Sequence, residues 1–581
     1  MIDVDHVSIR YTADPRARLV LRDVDIHIPD GELVLVAGRT GSGKSTLLGA
    51  INGHVPHFTG GIVTGRVRVN GLDTATHPPR DLADMVGVVS QDPLAGFVTD
   101  TVEEELAYGM EQLAIGPQAM RTRVEETLDI LGLADLRSRP LRTLSGGQQQ
   151  RVAIGSVLAT GARVLVLDEP TSALDPVSAE EVLAALLRLV HDIGLTVIVA
   201  EHRLERVAGY ADRMLLLDGT GRVIDGPTRE VMAISPLVPP VVDLGRRAGF
   251  DQVPLSVREA RRMADGLRQA VDGVDPQRWP RIPPAEGKSS VRLALSEGVD
   301  TPVAARRRHS RGRRRDGSRP AGVQVEGLSV SYGPVHAVKD VSVSFPAGAI
   351  TVVMGRNGSG KSTLLWALTG VQKLDSGAFF VDGVGLGDVP ADQVRDLVRL
   401  VPQSAADLLY LPTVDQECQA ADAESGCEPG LCRRIVDALA PTIDPATHPR
   451  DLSEGQKLCL VLAIQLTARP HAILLDEPTR GLDYPAKATL AQILAEMAGD
   501  GRAVAVVTHD VEFAAEVADQ IIVMAAGEVI HTGSAAEVLG TSALFAPQVA
   551  KVLHPMRWLT PYQVDQALHE IDLDPGAGDR S

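Results

Sequence analysis

Short, uninterrupted apolar runs punctuate this chain in two series. Glu32-Leu-Val-Leu-Val-Ala37, Val164-Leu-Val-Leu167 and Val197-Ile-Val-Ala200 form the first series; Ile350-Thr-Val-Val-Met354, Ile473-Leu-Leu475 and Val504-Ala-Val-Val507 form the second. Runs this short and this rich in β-branched residues predict strands covered on both faces, as in a parallel sheet. The first run of each series leads straight into a glycine-rich stretch. Beyond it, Leu47, Leu48 and Ile51, and then Leu364, Leu365 and Leu368, recur at helical spacing. Strand, glycine loop and packed helix, written twice, predict an α/β protein with two similar domains. No apolar run reaches the roughly 18 residues of a membrane-spanning helix. The most tempting window, Val182 to Ala200, is broken by Arg188, His191 and Asp192.

The repetition extends beyond these runs. Ser256 with Glu259, and Thr560 with Gln563, fit capping boxes opening two further helices, and Pro561 takes the first helical position, where a missing N–H costs nothing. The expected organisation is a first domain over residues 1–235 and a helical appendage over 236–270. A flexible linker follows over 271–320, then a second domain over 321–545 and a C-terminal helical appendage over 546–581. The linker is proline-rich from Pro276 to Pro284 and carries a basic run from Arg306 to Arg315. Such composition buries no core and reads as a solvated tether. Contact with anionic lipid headgroups, worth ~1 kcal/mol per basic residue at the surface, is the alternative.

Composition narrows the classes. At 581 residues the chain is too long for one core, and 44% hydrophobic with 23% charged residues is ordinary for a globular protein. A formal charge of −18 argues against a nucleic-acid partner, for which a basic domain is expected. The opening Met1-Ile-Asp-Val-Asp5 lacks the basic and apolar regions of an export signal. Four cysteines suit a reducing compartment; Cys418, Cys427 and Cys432 cluster without the paired spacing of a zinc site and read as incidental thiols.

The chemistry lies in three motifs, each present twice in the same order. The glycine stretches read Gly38-Arg-Thr-Gly41-Ser-Gly43-Lys44-Ser45-Thr46 and Gly355-Arg-Asn-Gly358-Ser-Gly360-Lys361-Ser362-Thr363. Such a loop turns backbone N–H groups inward around phosphates, with the lysine reaching the β and γ phosphates and the serine ligating Mg²⁺. Leu144-Ser145-Gly-Gly147-Gln148 and Leu452-Ser453-Glu-Gly455-Gln456 come next. The apolar runs ending in Asp168-Glu169 and Asp476-Glu477 follow at the same distance in both copies. The set resembles the ATPase component of an ABC transporter, with both cassettes fused in one polypeptide.

That resemblance implies specific roles. ATP and Mg²⁺ are the expected ligands. Asp168 and Asp476 hold the metal, with Ser45, Ser362 and the Q-loop glutamines Gln91 and Gln403; Glu169 and Glu477 orient or deprotonate the attacking water. His202 and His509 contact the γ-phosphate, and Tyr11 and Tyr332 stack on adenine. The cassettes of the family dock head to tail, so that Ser145, Gly147 and Gln148 close on the nucleotide held by Lys361, and Ser453, Gly455 and Gln456 on that held by Lys44. The second signature carries Glu454 where the pattern has its first glycine. A carboxylate beside a triphosphate is unfavourable unless it points away or pairs with a cation.

Local details are similar to energy-coupling factor (ECF) importer ATPases: Ser90 to Gly109 around the first Q-loop, Ala200-Glu-His-Arg-Leu-Glu205, and Asp476 to Tyr484 after the second signature. The second Q-loop, Pro402 to Gln416, departs from that pattern. The resemblance implies a peripheral protein on the cytoplasmic face of the membrane, powering import of a vitamin or transition-metal ion. Its partners would be an integral membrane scaffold and a substrate-binding membrane subunit, and it would not touch the transported solute. Glu103, Glu104 and Glu105 are candidates for holding basic residues of the scaffold. The rival reading is a soluble twin-cassette ATPase of the ABC-F kind, acting on ribosomes; the prolines and glycines of the linker disfavour it.

Overall fold

In a computed structural model of the chain, residues 1–12, 14, 17–284, 321–386 and 389–573 are described. The basic run of the linker lies outside them. The chain forms two compact units, Met1–Arg246 with Phe250–Glu259, and Arg247–Gly249 with Ala260–Ser581.

The first unit contains two sheets. Its six-stranded sheet runs in the order Val223–Pro227, Arg213–Leu217, Leu33–Gly38, Thr196–Ala200, Val164–Asp168, Val86–Val89. All neighbours are parallel except Val223–Pro227, and Leu33–Gly38 is buried throughout, as its continuous apolar pattern requires. A four-stranded antiparallel sheet, ordered Leu21–Ile28, Ile2–Arg10, Ile62–Val69, Leu72–Asp73, lies over the helix Lys44–Ile51. Here one face is solvated, and Ile2, Val4, Val7 and Ile9 turn to the core between more exposed neighbours. A helical layer, Val102–Gln112, Pro117–Leu131 and Gly146–Ala159, completes the unit.

The second unit repeats this plan strand for strand. Its parallel core runs Val398–Val401, Ala472–Asp476, Ala503–Val507, Ile350–Met354, Gln520–Ala525, closed by antiparallel Glu528–Ser534. The antiparallel sheet is Val335–Pro346, Gly322–Tyr332, Ser376–Val381, Val384–Gly385. The helical layer is Val414–Ser425, Leu431–Leu439 and Glu454–Thr467, where Cys418 and Cys432 are buried. Burial pushes the thiols of Cys427 and Cys459 up to about 11.

Of the two anticipated capping boxes, the second closes as expected, and in the first Glu259 takes the amide of the residue before the cap. The Glu259 amide donates to Ser256 Oγ at 3.2 Å and the Leu255 amide to Glu259 Oε2 at 3.0 Å. Thr560 and Gln563 exchange bonds of 3.2 and 3.3 Å at the start of Pro561–Leu573.

One expectation is corrected. The first part of the linker, residues 271–284, is docked rather than free. Thr560 Oγ1 donates to the Arg281 carbonyl at 2.9 Å, and Gln563 Nε2 donates to the Pro276 and Trp279 carbonyls at 3.3 and 3.5 Å. The Arg281 guanidinium reaches the Ala518 carbonyl and, at 3.1 Å, Asp519, whose other oxygen accepts the Ile350 amide. Proline richness removes donors but leaves carbonyls, and these carbonyls are the groups the C-terminal helix takes up.

Candidate functional site

Each parallel sheet delivers its chemistry at the carboxyl ends of three adjacent strands. In the first unit, Leu33–Gly38 runs into the glycine loop. Gly43 adopts φ +108°, and an added Cβ would lie 3.0 Å from Val20 Cγ1, so the turn into the helix at Lys44 needs glycine. Lys44 is buried and folds back, its Nζ donating to the Gly38 carbonyl at 2.9 Å and the Arg39 carbonyl at 3.3 Å. Lys361 repeats this on the carbonyls of Gly355 and Arg356, both at 2.9 Å. Ser42 Oγ and Ser359 Oγ are buried within the loops without a hydrogen-bond partner. A tight glycine turn, a positive Nζ and an unsatisfied hydroxyl fit a polyphosphate.

Beside each loop, serine and aspartate form a compact oxygen pair. Ser45 Oγ donates to Asp168 Oδ2 at 2.9 Å and Ser362 Oγ to Asp476 Oδ1 at 3.1 Å. Burial raises both aspartate carboxyls above their ordinary value, against the opposing pull of these hydroxyls and of Lys44 or Lys361. Hard oxygen donors grouped around a carboxylate suit Mg²⁺.

The following glutamates are conformational outliers. Glu169 and Glu477 hold φ of +51° and +49°, a left-handed backbone that few non-glycine residues adopt. Each meets its histidine: His202 Nε2 lies 2.8 Å from Glu169 Oε1, and His509 Nδ1 lies 2.7 Å from Glu477 Oε2. Strained backbone, acid and imidazole thus converge twice, at the ends of two neighbouring strands.

The remaining residues divide the two units. Gln91 Nε2 donates to Glu169 Oε2 and Ser172 Oγ, both at 3.3 Å. Gln403 is exposed and, among the described residues, makes no such bond to Glu477. Tyr11 and Tyr332 are 43% and 50% exposed, open enough to stack on a base. Tyr11 bonds Thr46 Oγ1 at 2.9 Å, whereas Tyr332 donates to Gln372 Oε1 at 3.3 Å. Thr363 is half-buried in the second loop helix.

Both signature motifs are helix caps. The Gln148 amide donates to Ser145 Oγ at 3.3 Å while Gln148 Oε1 accepts the Ser145 amide at 2.9 Å; Ser453 and Gln456 do the same at 3.3 and 3.0 Å. Gly147 packs so tightly that a Cβ would lie 2.8 Å from Ser178 Cβ, whereas Gly455 has ordinary contacts. Glu454 pairs with Lys457 Nζ at 2.8 Å, so its charge is met one helical turn away.

The acidic triplet after the Q-loop is also engaged within the unit. Glu104 closes a capping box with Thr101, and Glu103 lies 3.8 Å from Arg137. Glu105 is buried and accepts from the Val98 amide, the Thr99 amide and Thr99 Oγ1 at 2.9–3.1 Å. Glu417 does the same for the Tyr410 and Leu411 amides at 2.5 and 2.6 Å. Sequence reasoning missed this role of Glu105 and Glu417 in ordering the loop. The signal was a glutamate in the first turn of both helices, following Thr-Val.

These sites define a P-loop nucleotide-binding protein whose chemistry is built twice. The sequence profile of the ABC transporter family matches residues 21–172 and 338–480. A Streptomyces avermitilis protein, provisionally named an ABC transporter ATP-binding protein, is 54% identical over 574 residues, covering 98% of this chain and 100% of the relative. A Streptomyces coelicolor protein of the same provisional name is 54% identical over 572 residues with the same coverage. One from Methanosarcina acetivorans is 31% identical over 548 residues, 91% of this chain and 84% of its own. The chain belongs to the ABC transporter family, as a tandem-cassette ATPase. Among solved structures, cbiO1 from Clostridium perfringens, described as part of the ABC transporter complex cbiONQ, is 30% identical; the match covers 40% of this chain and 90% of that one, with a TM-score of 0.36. Among the described residues no helix is long and apolar enough to cross a membrane.

Proposed function

We propose that this chain is the ATP-hydrolysing subunit of an ECF-type importer for a vitamin or transition-metal ion, with ATPase domains over 1–235 and 321–545. It would work at the cytoplasmic face of the membrane beside a scaffold subunit and a solute-capturing subunit. The observation that carries the ATPase reading is the duplicated constellation of lysine, serine–aspartate pair, left-handed glutamate and histidine. The ECF assignment rests on the sequence around Gln91 and His202.

Lys44 and Lys361 would exchange their loop carbonyls for β and γ phosphate oxygens. Ser45, Asp168 and Gln91, and their counterparts Ser362, Asp476 and Gln403, would hold Mg²⁺. The metal supplies charge neutralisation on the phosphates. Glu169 and Glu477 would take the proton of the attacking water, with His202 and His509 fixing the carboxylate and meeting the γ-phosphate. The left-handed backbone at both glutamates sets that geometry before substrate arrives. Ser145, Gly147 and Gln148, with Ser453, Gly455 and Gln456, would supply further phosphate contacts, and Tyr11 and Tyr332 would stack on adenine.

Expression with candidate scaffold and solute-capturing membrane subunits tests the reading. The chain should copurify with membranes only in their presence, and its ATPase should then depend on the transported solute. Cosedimentation with ribosomes, with no membrane association, would overturn it in favour of a soluble role.

A further inference from the structure

Directly before His202 stands Glu201, only 1% exposed. One of its carboxylate oxygens accepts two bonds from a single residue: the Thr171 amide at 3.0 Å and Thr171 Oγ1 at 2.6 Å. Arg206 reaches the same residue from the other side, Nη1 donating to the Thr171 carbonyl at 2.7 Å and to Thr171 Oγ1 at 3.0 Å. Thr171 is therefore gripped through its amide, hydroxyl and carbonyl. Burial raises the Glu201 carboxyl above its ordinary value, with Arg206 and the Thr171 bonds opposing. A buried carboxylate is costly unless hydrogen bonds meet it, and here they come from Thr171.

What they fix is the loop after Glu169. Ser172 follows Thr171 directly; its Oγ donates to the Glu169 carbonyl at 3.1 Å and accepts Gln91 Nε2 at 3.3 Å. Gln91 in turn reaches the Glu169 carboxylate. The second cassette keeps the threonine, as Thr479, but replaces the residues around it. Glu201 becomes Thr508, whose Oγ1 lies a long 3.4 Å from Thr479 Oγ1; Arg206 becomes Phe513, buried; Ser172 becomes Arg480; and Gln403, exposed as Gln91 is, makes no bond to Glu477 among the described residues.

We propose that Glu201 and Arg206 are positioning residues of the first cassette: by clamping Thr171 they place Ser172, and through it hold the Gln91 amide on the carboxylate of Glu169. The second cassette lacks the clamp and leaves its Q-loop glutamine unengaged. The inference rests on Glu169 being the base of the first site.

The test transplants the second cassette's residues into the first. In the full-length chain carrying Glu477→Gln, so that residual turnover reports the first site, Gln91→Ala is measured with and without Glu201→Thr plus Arg206→Phe. Gln91→Ala should lower kcat about tenfold in the native loop and less than about twofold in the transplanted one, with KM for ATP nearly constant in both. Equal losses in the two backgrounds overturn the proposal, because a merely structural role gives additive effects. Amide hydrogen exchange over residues 90–97 provides a reading independent of turnover: it should quicken on transplantation while the strand Leu33–Gly38 is unchanged. Unchanged exchange there also overturns the proposal. If the transplanted chain does not fold, Thr171→Ala should reproduce the loss of Gln91 dependence and Thr171→Ser should restore it; full dependence in Thr171→Ala refutes the clamp. Absence of any Glu169-dependent turnover in the native loop would instead sink the ATPase assignment, and the exchange result would still judge the clamp.

Discussion

Glu169 is met by a histidine and a glutamine in the first cassette; in the second, Glu477 is met by a histidine, and Gln403 makes no bond to it among the described residues. Strand order, phosphate loop, metal-side pair and base are otherwise the same. The contrast continues at the signature. Gly146 of the first cassette faces Leu174 closely, and a Cβ there would lie 3.2 Å from Leu174 Cδ2. The second has Glu454 at this place, and opposite it Gly481 replaces Ala173; a Cβ on Gly481 would approach Glu454 Cγ to 3.3 Å. The larger side chain is accommodated by a smaller neighbour and neutralised by Lys457. The groups proposed to meet phosphate and metal are the same in the two cassettes, whereas the residues around them differ.

The sharpest way to break the symmetry of the two sites is at the bases. Glu169→Gln and Glu477→Gln should each remove turnover at their own site, a loss on the order of a hundredfold or more there. Single-turnover hydrolysis by each mutant separates the two contributions. If either mutant hydrolyses at the full rate of both sites, that glutamate is not a base.

Nucleotide binding should be more even. Lys44→Ala and Lys361→Ala each remove a charged donor from a buried loop, and affinity at the altered site should fall about a hundredfold, roughly 3 kcal/mol. Calorimetry should show one of two nucleotides lost in each mutant. A single mutant that still binds both tightly contradicts the assignment.

Glu105→Ala and Glu417→Ala test whether both Q-loops depend on a buried acceptor. Each strands backbone donors, at a cost of about 1–3 kcal/mol, read as a lower denaturant midpoint. Equal shifts would show that this support, unlike the Thr171 clamp, is common to the two cassettes.

The metal side should respond to pH in the same direction twice. Asp168 and Asp476 are raised by burial, so the folded metal-free protein binds their protons more tightly than the unfolded chain does. Their contribution to stability is present at acid pH and is lost as pH rises from the ordinary carboxylate value through the raised folded-state value. Mg²⁺ needs both ionised, so its affinity should fall on acidification through that window. Denaturation and Mg²⁺ titrations against pH should flatten in Asp168→Asn plus Asp476→Asn; an unchanged slope would assign the effect to other groups.

Glu454→Gly carries the smallest expected effect. Because Lys457 already pairs with this half-exposed carboxylate, ATPase should change by less than about twofold. A larger gain would mean that the carboxylate, despite its partner, acts on phosphate.

The sequence alone determined the duplicated α/β cassettes, because buried parallel strands are continuous apolar runs and phosphate loops need glycines at fixed places. Its motifs, through their resemblance to the family, also singled out Lys44, Ser45, Asp168, Glu169 and His202, and their counterparts, which lie at the carboxyl ends of adjacent strands. Only the tertiary structure decided which polar groups near that edge are spoken for. Glu103, Glu104 and Glu105 read as contacts for basic residues of a scaffold until backbone amides and Arg137 took them up. The proline-rich segment after residue 271 read as tether until the C-terminal helix claimed the carbonyls of Pro276 and Arg281. Glu201 drew no notice because its partners, Thr171 and Arg206, come together only when neighbouring strands close the sheet. Local pattern fixes periodicity and turn chemistry, but a hydrogen-bond partner thirty residues away is chosen by packing.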